Sequence, residues 1–231
     1  MIIQTGAALL FDIDGTLVDT DRLHLEAFNR TFAPLGHHFD AARFKAELQG
    51  FSMTSIMDRF LSSEPPARRR AIMDEKEATF RALAEMGLEP MPGLIALLDR
   101  ADAAGLPLAA VTNAPRANAD LLLGALGIRH RFKAVVLGDE LPHGKPHPLP
   151  YLEALRALGA KAELSVAFED STSGVTSASA AGLITVGIMT SLTEQELRAA
   201  GASVTAADYR DPALLVLIAD VVAGRTPALS P

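Results

Sequence analysis

Residues 7–20 read Ala7-Ala8-Leu9-Leu10-Phe11-Asp12-Ile13-Asp14-Gly15-Thr16-Leu17-Val18-Asp19-Thr20. The run from Ala7 to Phe11 is wholly apolar, the pattern of a strand buried on both faces of a parallel sheet. Gly15 breaks that strand, so Asp12 falls at its carboxyl end and Asp14 in the loop just beyond. Open α/β sheets hold their ligands at this edge. Two carboxylates so close repel each other unless a cation lies between them, and a hard, oxygen-seeking ion such as Mg2+ suits the pair. An ordinary strand-to-turn junction would use the same residue types. The stretches that follow decide between the two.

Beyond Thr16 the period changes from strand to helix. Asp19, Thr20 and Asp21 offer an N-cap, and Leu23, Ala27, Phe28, Phe32 and Leu35 recur at helical spacing. A second helix is predicted over Asp40–Leu48, a third after Ser52 through Leu61, and a fourth from Pro65-Pro66 to about Met86. This all-helical stretch interrupts a strand–helix alternation, which predicts an insert over residues 19–89 within a core of residues 1–18 and 90–231. Pro90, Pro92 and Gly93 mark the second connection.

From Leu94 the chain alternates in the doubly wound α/β manner, and the fold class expected is a parallel, Rossmann-like sheet carrying a helical insert. Strands are predicted over Leu106–Val111, Ala134–Leu137, Ser165–Phe168 and Ile184–Ile188, the last clear one. Their carboxyl ends share one edge with Asp12 and Asp14. That edge collects Thr112-Asn113, the loop Gly144-Lys145-Pro146, and Glu169-Asp170. Acidic groups, hydroxyl and amide donors and one ammonium suit a phosphoryl group with its metal. The metal would lie among Asp12, Asp170 and a main-chain carbonyl.

Composition narrows the class. The 231 residues are 49% hydrophobic, enough for a large core, and the formal charge of −7 argues against a nucleic-acid partner. With no cysteine, thiolate chemistry, disulfides and cysteine-based zinc sites are excluded. No apolar run approaches the ~20 residues of a membrane span. No signal-peptide pattern opens the chain, so a cytoplasmic protein without a membrane partner is expected.

The four stretches FDIDGTLVDT, VTN, GKPHP and FEDS resemble, in order, the four motifs of the haloacid dehalogenase superfamily, and the insert resembles that family's helical cap. The resemblance implies roles. Asp12 matches the nucleophile that forms an aspartyl-phosphate, and Asp14 matches the general acid/base. Asp12, Asp14 through its carbonyl, Asp170 and Glu169 match the Mg2+ site. Thr112, Asn113 and Lys145 match the phosphate cradle. His24 and the loop Gln49-Gly50-Phe51-Ser52 match substrate-facing cap positions, though a histidine on an amphipathic helix can equally be a surface residue.

The presence of Asp14 distinguishes the chain from dehalogenases and phosphonate-cleaving members, which lack it. The reading is a Mg2+-dependent phosphatase acting on a small phosphate ester, as a monomer or weak homodimer. The alternative is a β-phosphoglucomutase-type isomerase. Against that alternative, Met53 stands where the mutase has an arginine for its second phosphate, and a thioether cannot replace a guanidinium. A catalytically silent binding module is the third reading, opposed by the intact motif set. His143 and His147, flanking Lys145, are read as solvent-facing rather than metal-binding.

Overall fold

A computed structural model of the chain describes residues 6–51 and 53–225. Ser52, expected to cap a helix, and the tail beyond Arg225 lie outside the described residues. The chain divides into two compact units, residues Met1–Asp19 with Glu89–Pro231, and residues Thr20–Leu88.

The first unit is a parallel sheet. Its strands are β1 (Leu9–Phe11), β2 (Leu108–Thr112), β3 (Phe132–Leu137), β4 (Val166–Glu169), β5 (Ile184–Ile188) and β6 (Val204–Ala206). They lie in the order β3-β2-β1-β4-β5-β6, and every pairing is parallel. The chain runs outward from β1 in one direction, then returns and runs outward in the other, so the order reverses between β1 and β4. That reversal point is where such sheets open a ligand crevice. β6 departs from the sequence expectation, which ended the sheet at Ile188. At three residues it is too short to show a period, and it is held by pairing with β5.

Side chains alternate across β1, and each face has its own partners. Ala8 and Leu10 pack with Ala109, Val111 and Ala167 against Tyr151, Ala154 and Leu155. Those last three belong to a helix spanning Leu149–Leu158. On the other face Phe11 stacks on Phe168 with ring centroids 4.5 Å apart, and Phe132 and Tyr209 close the aromatic group at 6.0 and 6.2 Å. Each such aromatic pair adds about 0.5–1.5 kcal/mol beyond its buried area. The cluster lies one residue below Asp12 and Glu169, so the strand ends that carry them are firmly seated.

The second unit is all helical: α1 (Asp21–Phe32), α2 (Ala41–Glu47), α3 (Met53–Phe60) and α4 (Pro66–Ala84), with one turn of 3-10 helix at Ala33–Leu35. Phe28, Phe32, Phe39, Phe44, Ile56, Ile72 and Met73 form its core. Asp40 accepts from the Arg43 N–H and caps α2, while the Thr20 side chain makes no cap bond at α1. The remaining helices belong to the first unit: α5 (Leu94–Ala104), α6 (Arg116–Ala125), α7 (Leu149–Leu158), α8 (Thr172–Ala180), α9 (Glu194–Ala200) and α10 (Pro212–Val222). No described helix is long and apolar enough to cross a membrane.

Candidate active site

Register builds the site. Phe11 is level with Ala110 on β2 and with Phe168 on β4. One step further along, Asp12, Val111 and Glu169 therefore stand side by side at the carboxyl edge. Lys145, in the loop before α7, reaches all three. Its ammonium donates to Asp12 Oδ1 at 2.6 Å, to the Val111 carbonyl at 2.7 Å and to Glu169 Oε1 at 2.5 Å. An ammonium has three protons, and here each faces a protein acceptor.

Glu169 is fully buried. Besides Lys145 it receives a hydrogen bond from the Tyr151 hydroxyl at 2.7 Å on the same oxygen, while Ser171 Oγ stands 3.3 Å from its Oε2. The start of α8 presses close, and a Cβ at Gly174 would collide with this carboxylate.

Asp170 is gripped from two loops. Ser191, after β5, donates to Oδ2 at 2.9 Å, and Thr16 lies 3.5 Å from Oδ1. Thr16 thus reaches across to Asp170 with its side chain. Gly15 takes φ +75°, and a Cβ there would strike Asp170, so this position needs glycine on two counts. Thr190 donates to the Gly15 carbonyl at 2.6 Å and Tyr209 to the Thr16 carbonyl at 3.1 Å, which fixes the turn after β1. Asp14 sits in that turn, partly exposed, with its backbone bridged to Val18.

The electrostatics follow from crowding. Burial first, then the charges of Glu169, Asp170 and Asp14, hold the Asp12 carboxyl well above its ordinary range, and Lys145 opposes them. Burial works to lower the Lys145 ammonium, but Asp12 and Glu169 outweigh it, and the group stays charged beyond its usual range. Oxygens of Asp12, Glu169 and Asp170 lie within 4.8 Å of one another, all buried. Three buried carboxyl groups converge where Lys145 bonds two of them, so negative charge is crowded in a low-dielectric place. Oxygen donors, clustered and electron-rich, fit a hard divalent cation and not a soft one.

Thr112 ends β2, buried, and its Oγ1 accepts from the Ala114 N–H at 2.9 Å. The Asn113 side chain bonds the backbone of Lys145. Its amide donates to the Lys145 carbonyl and its Oδ1 accepts from the Lys145 N–H, both at 3.0 Å. Gly138 and Gly144 leave the room it needs, since a Cβ at either would meet Asn113 Oδ1. Asn113 therefore clamps the loop that carries Lys145. Arg116, at the start of α6, forms a bidentate pair with Glu140 at 2.6 and 2.8 Å. His143 and His147 are exposed, with ring centroids 4.7 Å apart.

The remaining sequence candidates lie in the helical unit. His24 is more than a surface residue: its ring stacks on Phe80 at 4.0 Å, and Lys76 donates to its Nδ1 at 2.9 Å. Gln49 donates to Asp21 at 2.7 Å, and Gly50 turns the chain at φ +75°. Met53 packs against the helical core.

Sequence reasoning passed over Tyr151, Thr190, Ser191 and Tyr209. Only Tyr151 carried a signal: a phenol at a core-facing helical position needs a polar partner. The others depend on loops whose paths no local pattern encodes.

Comparison with known proteins gives the chain its family. The sequence model of the haloacid dehalogenase-like hydrolase family matches residues 9–188. Protein CbbY of Rhodobacter capsulatus is 38% identical over 220 residues, covering 90% of this chain and 93% of its own. Fructose-1-phosphate phosphatase YqaB of Escherichia coli is 31% identical over 185 residues, covering 79% and 96%. Among solved structures, a mutant CbbY of Rhodobacter sphaeroides in complex with xylulose-(1,5)bisphosphate superposes with a TM-score of 0.78 at 33% identity, covering 88% of this chain and 95% of that one.

Proposed function

The chain belongs to the haloacid dehalogenase-like hydrolase family, and from that premise we propose that it is a Mg2+-dependent phosphatase of small sugar phosphates working through an aspartyl-phosphate. The observation that carries this is the single ammonium of Lys145 held against Asp12 and Glu169 at the reversal point of the sheet. Asp12 Oδ attacks phosphorus and the bond from phosphorus to the ester oxygen breaks. Asp14 gives that leaving oxygen its proton. Asp14, now a carboxylate, takes a proton from water, and the hydroxide oxygen bonds to phosphorus as the bond to Asp12 breaks. Inorganic phosphate leaves and both aspartates return to their starting states.

Mg2+ would be held by Asp12, Asp170, the Asp14 carbonyl and Glu169, and when bound it neutralises phosphate and carboxylate charge. The protein's part is placement: Lys145 fixes Asp12, Asn113 fixes Lys145, and Ser191 fixes Asp170. Such placement and charge compensation are what phosphoryl transfer requires most.

Substrate class is supported by the relatives, one named for fructose 1-phosphate and one crystallised with a sugar bisphosphate. Met53, packed against the helical core, carries a thioether and so lacks the cation with which a mutase holds its second phosphate. The test is phosphate release from a panel of sugar phosphates with Mg2+, with EDTA, and with Asp12→Asn. Release is expected only from the parent chain with Mg2+. Release that survives EDTA or Asp12→Asn refutes the mechanism. Interconversion of β-glucose 1-phosphate and glucose 6-phosphate faster than phosphate release would make the chain a mutase, and silence across the panel would make it a binding module.

A further inference from the structure

Tyr151 is 0% exposed and belongs to α7, outside all four sequence motifs. It lies in the cluster that packs on the face of the sheet carrying Leu10 and Ala167. Period two along β1 and β4 sends Asp12 and Glu169 toward that same face. The phenol meets the network there twice. Its hydroxyl donates to Glu169 Oε1, the oxygen that also accepts from Lys145, and its ring centroid lies 5.3 Å from the Lys145 ammonium.

We propose that Tyr151 is a positioning residue of the reaction, acting through Glu169 to set where Lys145 stands and so where it holds Asp12. The physical reason is competition for one ammonium. Glu169 and Asp12 both accept from Lys145 in a buried place, and whichever carboxylate is less satisfied draws the cation closer. The phenol supplies Glu169 with a second donor on the shared oxygen. Without it, Glu169 pulls Lys145 away from Asp12 and the nucleophile loses its fixed place. A fully apolar residue would fill the same space and pack as well, so packing alone does not call for a hydroxyl aimed at this oxygen.

This role rests on the phosphatase reading. The test is Tyr151→Phe, which keeps ring and volume, in the parent chain and in a Glu169→Gln background. Hydrolysis of p-nitrophenyl phosphate is followed with Mg2+ well below each variant's unfolding midpoint. Loss of one hydrogen bond to a charged group sets the scale at about a tenfold fall in kcat, with KM within about twofold. In the Glu169→Gln background the same change is expected to cost nothing further, because the residue it works through is already altered. A kcat within twofold of the parent overturns the proposal, and so does an equal fall in both backgrounds, which a purely structural role would give. Absence of turnover by the parent chain on p-nitrophenyl phosphate and across the sugar-phosphate panel alike is a different result: it refutes the phosphatase reading, and this role falls with it.

Discussion

Replacing Lys145 by methionine tests the electrostatic reading of the site most sharply. The side chain is 3% exposed and pairs with Asp12 at 2.6 Å and Glu169 at 2.5 Å. At an effective dielectric of about 20 each pair attracts by roughly 6 kcal/mol before desolvation is counted. Desolvation cancels much of that, and removing one partner of a buried pair costs about 3–5 kcal/mol, since the other charge is left uncompensated. For a chain of this length each kcal/mol moves Tm by about 2–4 °C, so Lys145→Met is expected to lower Tm by roughly 6–20 °C at pH 8 in EDTA.

The sign with pH follows. Asp12 already has a carboxyl held above its ordinary range by burial and by neighbouring carboxylates, with Lys145 opposing. Removing the ammonium raises it further. The folded variant then binds protons that the unfolded chain has released, so its stability falls as pH rises from about 4 through the raised folded value. The deficit against the parent should therefore be largest at pH 8 and at least halved at pH 5. Thermal melts of both chains from pH 5 to 8.5 measure it. A deficit that is independent of pH, or below about 1 kcal/mol at pH 8, refutes the account of Lys145 as the counter-charge of the site.

Asp12→Asn removes one of the crowded carboxylates, so Tm in EDTA at pH 8 should rise although turnover is lost; a fall of more than about 2 °C contradicts the crowding argument. Ser191→Ala takes a donor from Asp170 Oδ2, and the Mg2+ concentration giving half-maximal thermal stabilisation should rise about tenfold, the usual order for partners of metal-binding carboxylates. An unchanged midpoint would mean Ser191 does not orient Asp170. Gly15→Ala forces a Cβ against Asp170 at a positive φ and should cut kcat/KM at least a hundredfold; near-normal kinetics would show that the turn after β1 can relax.

Much of the chain is legible in its letters. The apolar runs of β1, β2 and β4 are bounded by polar residues because a strand buried on both faces tolerates polar groups only at its ends. That boundary is what exposes Asp12, Thr112 and Asp170 to reading. Helix stops at Gly105, Gly159 and Gly182 are equally local, since each takes a positive φ that L side chains resist. β6 escapes because three residues on a sheet edge owe their extension to β5 and not to themselves. Asn113 shows a subtler limit: sequence placed it at the correct edge, but which way its amide turns depends on a loop thirty-two residues later.

Local order alone thus determined that carboxylates, hydroxyls and one ammonium stand at the ends of parallel strands, because periodicity and chain punctuation act between near neighbours. Only tertiary structure decided how those groups partner one another. Strand register set Asp12, Val111 and Glu169 level with each other, and α7 and the loop after β5 then delivered Tyr151 and Ser191 to their carboxylates. A hydrogen bond is satisfied by atoms within about 3 Å whatever their separation along the chain, so no pattern of neighbouring letters records it.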